Sequence, residues 1–498
     1  MRVVLSIYLL ASLCLRGFSF PVKIGHLERN TRRLTVHIAI PVSTIAPVPN
    51  QIPDNYIVQF DTTADMAAHI KQLQSFINGY KSCSKLNNTI TEQTNEDFIK
   101  YYVGTFDGRA LQFISASKGV VGVERSAIIE LDLVTDDTND TGEADDSQAV
   151  TNSTLSRRSR NGAPWNLQRI TQNGPVTEGS RSLKPPFKKP NSATTLDWTY
   201  NLKDSADGQG VVVYVLDTGV QANHPELSPR VLSVASPYII PGVGGTQVAS
   251  VVVGETAGVI DGAQIVPIKV QTVKTVKSGK PKPGDMTSAT VLDGITAATN
   301  HYIQQRGGRG PAVINISVDL EKNGILEDAV EATTGYSKGY SCCNWSVILS
   351  FFRITQLDEA SEAAGNKGKN MCNDMLKDVG QITVGSTNIK DKKSSFSNFG
   401  ECVDVYGPGS SILAAKLSSN KLEAVDGTSF AAPHVAGMIA AILSTGVRMT
   451  PAQMKAKIIS DARGTVVDMS KYPNSNNRLF MFDPSMRSAT QSSDSDSA

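Results

Sequence analysis

The chain has 498 residues, 40% of them hydrophobic, and a formal net charge of +1. That length holds one large domain plus accessories, with ample material for a core. The balanced charge gives no electrostatic case for a nucleic-acid or membrane partner, and six cysteines are too few for a disulfide scaffold.

Arg2 precedes a short apolar run, Val3 to Leu15, followed by small and polar residues at Gly17 to Ser19. The run is too short to span a bilayer and has the layout of a secretory signal over residues 1–19. No later stretch is long and apolar enough for a membrane helix, so an exported, soluble product is expected. A Pro-rich stretch leads to Pro53. Asn55 to Phe60 then reads as a strand, and Met66, Ile70, Leu73 and Ile77 as the apolar stripe of a helix. Tyr101 to Val103, Phe106 to Phe113 and Val120 to Leu133 read as further strands, giving a small α+β unit over residues 54–133. The acidic, polar segment within residues 134–155 reads as a linker. Ser156-Arg157-Arg158-Ser159-Arg160 is either a dibasic cleavage site or a solvated basic patch. Asn87, Asn139, Asn152 and Asn344 head sequons that suit export. Asn315 heads another but sits in a strand-like run, where a glycan would not fit.

Beyond Gly210 the pattern turns α/β. Val211 to Leu216 is a continuous apolar run, as in a parallel strand buried on both faces. Ile265 to Val270 and Ala312 to Ile316 read likewise, with a helix-like Ser288 to Ile303 between them. The alternation predicts a doubly wound, mostly parallel sheet with helices on both faces and functional residues at strand C-termini. Asp217 follows its strand directly. Residues 486–498 form a Ser/Asp-rich tail expected to be disordered.

The most informative segment is Asp426-Gly427-Thr428-Ser429-Phe430-Ala431-Ala432-Pro433-His434-Val435-Ala436-Gly437. It sets a serine in a Gly-Thr turn at the start of an apolar helix, where free N–H groups and the helix dipole favour developing negative charge. With Val213-Tyr214-Val215-Leu216-Asp217-Thr218-Gly219-Val220 upstream, it resembles the subtilisin-like serine proteases (subtilases), in the proteinase K-like branch.

The resemblance spans about residues 54–485 and implies a subtilisin-like α/β fold preceded by an inhibitor-type propeptide. It implies a propeptide over 20–161 and a peptidase domain over 162–485, with Ala163-Pro164-Trp165-Asn166-Leu167 resembling the mature start. The implied activity is endopeptidase cleavage of proteins or peptides through an acyl-enzyme on Ser429, with Asp217 orienting the base and Asn366 donating to the oxyanion. A Cys372–Cys402 disulfide, a monomeric state and inhibition by the chain's own propeptide are implied as well. No cofactor is required, although Asp404 stands where the branch places a calcium-binding carboxylate.

The base itself is missing. Where the family reads His-Gly-Thr-His-Val-Ala-Gly, this chain reads Gly244-Gly245-Thr246-Gln247-Val248-Ala249-Ser250. Gly244 has no side chain, and Gln247 takes no proton at neutral pH. His224 matches a family histidine that is not the base, and His301 has no motif around it. His434 lies five residues beyond Ser429 on the same helix, about 7.5 Å along the axis and too far to bond its hydroxyl. The family's Ser-Leu-Gly-Gly substrate edge is Ser317-Val318-Asp319-Leu320 here. Ala363-Ala364-Gly365-Asn366 follows the polar Gln356 to Glu362 instead of a buried strand, and the strand-like Trp345 to Ile354 lies several residues early. Asn366 is therefore expected to be displaced. Two accounts stand: a pseudoprotease kept as a secreted peptide-binding module, or misassigned exon boundaries around Tyr238 to Gly244 and Tyr336 to Glu362.

Overall fold

In this computed structural model the described residues lie between 50 and 480, less 82–83, 130–156, 173–175, 177–195, 197, 204–205, 233–241, 275–281, 309, 319–322, 335–358, 374–380, 463–466, 468, 473–474 and 477. The expected signal segment, acidic linker and C-terminal tail fall outside them, as do Asn139, Asn152 and Asn344. Asn87 is exposed and Asn315 fully buried. Among the described residues no helix is long and apolar enough to cross a membrane.

The N-terminal unit begins with β1 (Gln51–Phe60), α1 (Met66–Tyr80), β2 (Thr89–Asn95) and β3 (Lys100–Thr105). It continues with α2 (Gly108–Ala116) and β4 (Val120–Ile129). Its four strands are antiparallel in the order β2-β3-β1-β4. The helical stripe is as read: Met66, Leu73 and Ile77 are buried on α1. Phe106 to Phe113, expected as a strand, is instead a turn running into α2. Asp107 caps that helix by accepting from the N–H groups of Arg109 and Ala110 at 3.0 and 2.9 Å, while Ala110, Leu111 and Ile114 fall on one helical face. Capping chemistry and the 3.6 period overrule the strand-like composition.

After β5 (Arg157–Ala163), α3 (Trp165–Thr171) and β6 (Trp198–Lys203) the parallel sheet starts at β7 (Val212–Asp217). Arg157 and Arg158 lie in β5, paired with Lys203 and Leu202 of β6, so the dibasic pair is part of a ladder. Helix α4 (Val243–Val253) leads to β8 (Gln264–Lys269) and a hairpin of β9 (Gln271–Lys274) and β10 (Lys282–Thr287). Next come α5 (Ser288–Arg306), β11 (Ala312–Ile316), α6 (Gly324–Thr334), β12 (Glu359–Ala363) and β13 (Gln381–Thr387). The chain closes through β14 (Val405–Pro408), β15 (Ile412–Ala415), β16 (Leu422–Val425), α7 (Thr428–Ser444) and α8 (Pro451–Asp461).

The sheet order is β14-β13-β12-β11-β7-β8, every pair parallel. Alternation along β7 splits the core: Val213 and Val215 face the layer of α4 and α7, while Tyr214 and Leu216 face α5 and α6. The strand order reverses between β7 and β11, which is where open α/β sheets open a crevice. Strand β12 departs from expectation. Polar Glu359–Ala363 is pulled between β11 and β13, with Ser361 donating to Asn315 Oδ1 at 3.1 Å and Glu362 buried. Backbone pairing on both sides outweighs the side-chain mismatch. Cys372 and Cys402 are bonded, with Cα atoms 5.2 Å apart across 30 residues.

The N-terminal unit shares a sheet with the larger domain, since β4 pairs with β10 through Ile129–Met286 and Ile128–Thr287. Ile57, Tyr101 and Val103 pack in one cluster with α5 and α6 side chains. Glu124 of β4 accepts from the Gly324 N–H at 2.8 Å, at the start of α6. Burial pushes its carboxyl up to about 7, with Glu327 and Asp328 acting the same way and N–H donation from Gly324 and Ile325 opposing. The raised value means that Glu124 contributes stability in full below its ordinary range and loses it as pH climbs through about 7. Urea unfolding of the full chain from pH 5 to 8 should therefore weaken relative to Glu124→Gln, by up to about a hundredfold in the equilibrium constant. Parallel pH profiles for the two proteins would show that Glu124 holds no proton there.

Candidate active site

The candidate residues converge at the C-terminal ends of β7 and β11. Asp217 ends β7 and is buried. Its Oδ1 accepts from the Thr218 N–H at 2.5 Å. Burial pushes the carboxyl up to about 6, opposed by the Thr218 backbone and hydroxyl and by the Lys269 ammonium. Lys269, at the end of β8, spends its ammonium on the Thr218 carbonyl at 2.5 Å. It thus braces the turn after β7.

Ser429 sits in the first turn of α7. Gly427 before it has a φ of 153°, open to a residue without Cβ. The Ser429 hydroxyl donates to the Ser317 carbonyl at 2.9 Å, and the Ser317 hydroxyl donates to the Ser429 carbonyl at 3.1 Å. Pro433 explains the second bond: it has no N–H to offer the carbonyl four residues back, so Ser317 takes that acceptor. Ser317 follows β11 directly, and Ile316 is in register with Leu216 of β7. Ser317 and Asp217 are therefore register neighbours, about one strand spacing of ~4.8 Å apart. Serine and carboxylate face the same crevice.

Asn366 is brought to the same place, contrary to the expected displacement. Because β12 enters the sheet, its C-terminal turn reaches α7. Asn366 Oδ1 accepts from Thr428 at both its N–H (2.8 Å) and its hydroxyl (2.9 Å), and the Gly365 N–H donates to Thr428 Oγ1 at 3.0 Å. With the oxygen so engaged, the amide nitrogen is turned to the Gly427 side: it lies 3.5 Å from where a Cβ on Gly427 would stand. The Ser429 N–H lies in the first turn of α7, where helices have no internal acceptor. Those two nitrogens are the donors an oxyanion would meet.

Gly244 lies on α4 in front of Asp217. A Cβ there would be 2.8 Å from Asp217 Oδ1 and 3.5 Å from Thr218 Oγ1, so a side chain at this position meets the carboxylate directly. Gly245 beside it allows no Cβ at all, because that atom would run into the carbonyl of Gly219. The second slot, Gln247, donates to Glu423 at 2.8 Å. Every described histidine is engaged elsewhere. His434 is fully buried, bonded to Asn166 Nδ2 and to the Phe430 carbonyl at 2.7 Å each, and burial lowers it to about 4. His301 bonds Tyr214 at 3.0 Å, His224 accepts from the Glu226 N–H at 3.1 Å, and His69 bonds Tyr102 at 3.0 Å in the N-terminal unit. Among the described residues, none supplies an imidazole to the crevice.

Several supporting residues escaped the sequence reading. Buried Asn398 accepts from the N–H groups of Lys367 (3.1 Å) and Lys369 (3.2 Å) and donates to the Ala364 carbonyl (2.9 Å), fixing the loop that carries Asn366. Lys269 belongs with it, as does the bond of Ser317, a residue read only as part of the substrate edge, to Ser429. Their roles depend on contacts 29 or more residues away, for which the local pattern holds no signal. Asp319 and Leu320 of the substrate edge lie outside the described residues. Asp404 is engaged by Lys455 at 3.0 Å, and no described cluster of three or more His, Cys, Asp or Glu side chains could hold a metal ion.

A sequence profile described as the Subtilase family matches residues 208–482. The alkaline proteinase of Hapsidospora chrysogena is 30% identical over 420 residues, covering 82% of this chain and 88% of that protein. Alkaline protease 1 of Aspergillus clavatus is 26% identical, covering 89% and 94%. A solved structure described as a cold-adapted subtilisin-like serine proteinase superposes with a TM-score of 0.45 at 27% identity, over 64% of this chain and 98% of that one.

Proposed function

The chain belongs to the subtilase family, and from that premise we propose a secreted subtilase whose peptidase site is assembled except for its general base. Ser429 is the nucleophile, Asp217 the carboxylate that would orient an imidazole, and Asn366 with the Ser429 N–H the oxyanion donors. The observation that carries this reading is Gly244, whose missing side chain would abut Asp217 Oδ1. Without a base the serine keeps its proton at neutral pH. In the family's type enzyme, loss of any triad member leaves about a thousandfold over water, from oxyanion hole and binding together. Polypeptide is then bound and cleaved only at that residual rate.

Export is supported by the N-terminal apolar run and by the Cys372–Cys402 bond, which belongs to an oxidising compartment. The N-terminal unit acts as an inhibitory propeptide, a role supported by the sheet it shares with the peptidase domain through β4 and β10. Releasing it by cleavage at Arg157-Arg158 requires β5 to leave β6 first. The mature domain is read as a monomer that takes protein or peptide chains.

A fluorophosphonate probe tests the catalytic reading, because it labels a serine only when the hydroxyl is activated. Ser429 should react at least about a thousandfold more slowly than the serine of a complete triad. Fast labelling that disappears in Ser429→Ala would show that another group removes the proton. The non-catalytic alternative, a secreted peptide-binding module, rests on the same missing base. It gains ground if labelling is nil while peptide binding is retained.

A further inference from the structure

The carboxylate of Asp404 precedes β14 and is held in the sheet edge from two directions. Its Oδ2 accepts from the Thr383 N–H at 2.9 Å, and its own N–H donates to the Thr383 carbonyl at 2.9 Å. Lys455 reaches the same point from α8. Its ammonium lies 3.0 Å from Asp404 Oδ2 and 3.0 Å from the Gln381 carbonyl, which opens β13. Both side chains are largely covered, at 15% and 13% exposure for Lys455 and Asp404.

One carboxylate oxygen and one main-chain carbonyl converging on a single point are hard oxygen donors of the kind that take calcium at 2.3–2.6 Å, roughly. The centre of such an ion would fall on the Lys455 nitrogen. Ion and ammonium exclude each other, by volume and by charge. The residues present therefore do not fit a calcium ion at Asp404, although the resemblance placed one there.

We propose that Lys455 is a tethered cation that takes the place of a divalent ion at this edge. The ammonium neutralises Asp404, satisfies the Gln381 carbonyl and ties α8 to β13. A metal ion does this only while it is bound; a lysine on the adjacent helix does it at any calcium concentration. Its cost is the rotamer freedom of one side chain. The inference concerns stability and does not depend on whether Ser429 is catalytic.

The test is thermal unfolding of the full chain in calcium chloride and in chelator, with calcium titration calorimetry alongside. Wild type should unfold at the same temperature in both. Lys455→Met, which keeps length and removes charge, should be less stable in chelator, recover several degrees on calcium addition, and bind calcium saturably. That recovery should vanish when Asp404→Asn is added. Where Lys455→Met folds too poorly to measure, Lys455→Gln serves in its place. A Lys455 variant indifferent to calcium would overturn the proposal. So would a wild-type calcium response that Asp404→Asn abolishes, since the ion would then sit at Asp404 despite the lysine.

Discussion

Gly244→His is expected to raise peptide-bond turnover by three orders of magnitude or more. In the family's type enzyme the loss of the base costs about a million-fold in turnover, so the ceiling is high. The geometry favours the substitution. Gly244 stands in α4 without a positive φ, so a side chain adds no backbone strain there. Its Cβ would point at Asp217 and stand 2.8 Å from Oδ1, so the carboxylate must rotate a little. Part of its bond with the Thr218 N–H is then given up, and the gain falls short of the ceiling. The imidazole would in turn hold the Asp217 carboxyl ionised, against the burial that now pushes it up to about 6. The measurement is hydrolysis of a chromogenic peptide, with Gly244→His/Ser429→Ala as the control. A folded Gly244→His protein at the control's background rate would sink the assignment of Gly244 to the base position.

With histidine restored, Asn366→Ala should lower kcat by about a hundred- to a thousandfold and leave KM nearly unchanged, as loss of an oxyanion donor does. Asn366 also anchors Thr428 through its oxygen, so the alanine removes two functions at once. Asn366→Asp separates them. The aspartate keeps an acceptor for Thr428 and loses the donor, and it should be as slow as the alanine. If the aspartate variant retains full turnover, Asn366 serves only to position the turn. Without the histidine either substitution should still lower the small residual rate, because what remains after loss of the base comes from the oxyanion hole and binding.

Much of this site was legible because its motifs are local. Asp217 ends an apolar run whose period and length mark a strand buried on both faces, and Ser429 opens a helix with Gly427 before it and Pro433 within it. Asn366 was misjudged for an equally local reason. The residues before it are polar, and single-residue preference says they should not enter a sheet. Pairing with β11 on one side and β13 on the other decides the matter, and neither partner is adjacent in the chain. Phe106 to Phe113 failed in the opposite direction: aromatic content suggested a strand, whereas the Asp107 cap made a helix.

By itself the sequence determined the family, the α/β order of elements and the absence of histidine at position 244, since each is written in residue identity and short spacing; the Cys372–Cys402 pairing was implied by the family resemblance. The tertiary structure alone decided what those residues do to one another. The Ser317–Ser429 bond pair spans 112 residues, and Glu124 reaches Gly324 across 200. Lys455 closes on Asp404, where a calcium ion had been expected. The serine pair and the Lys455 contact join elements that the parallel sheet stacks side by side, whereas Glu124 reaches over from β4 of the antiparallel sheet. Crossover connections place strand ends from distant segments at one edge, and no window along the chain contains both partners.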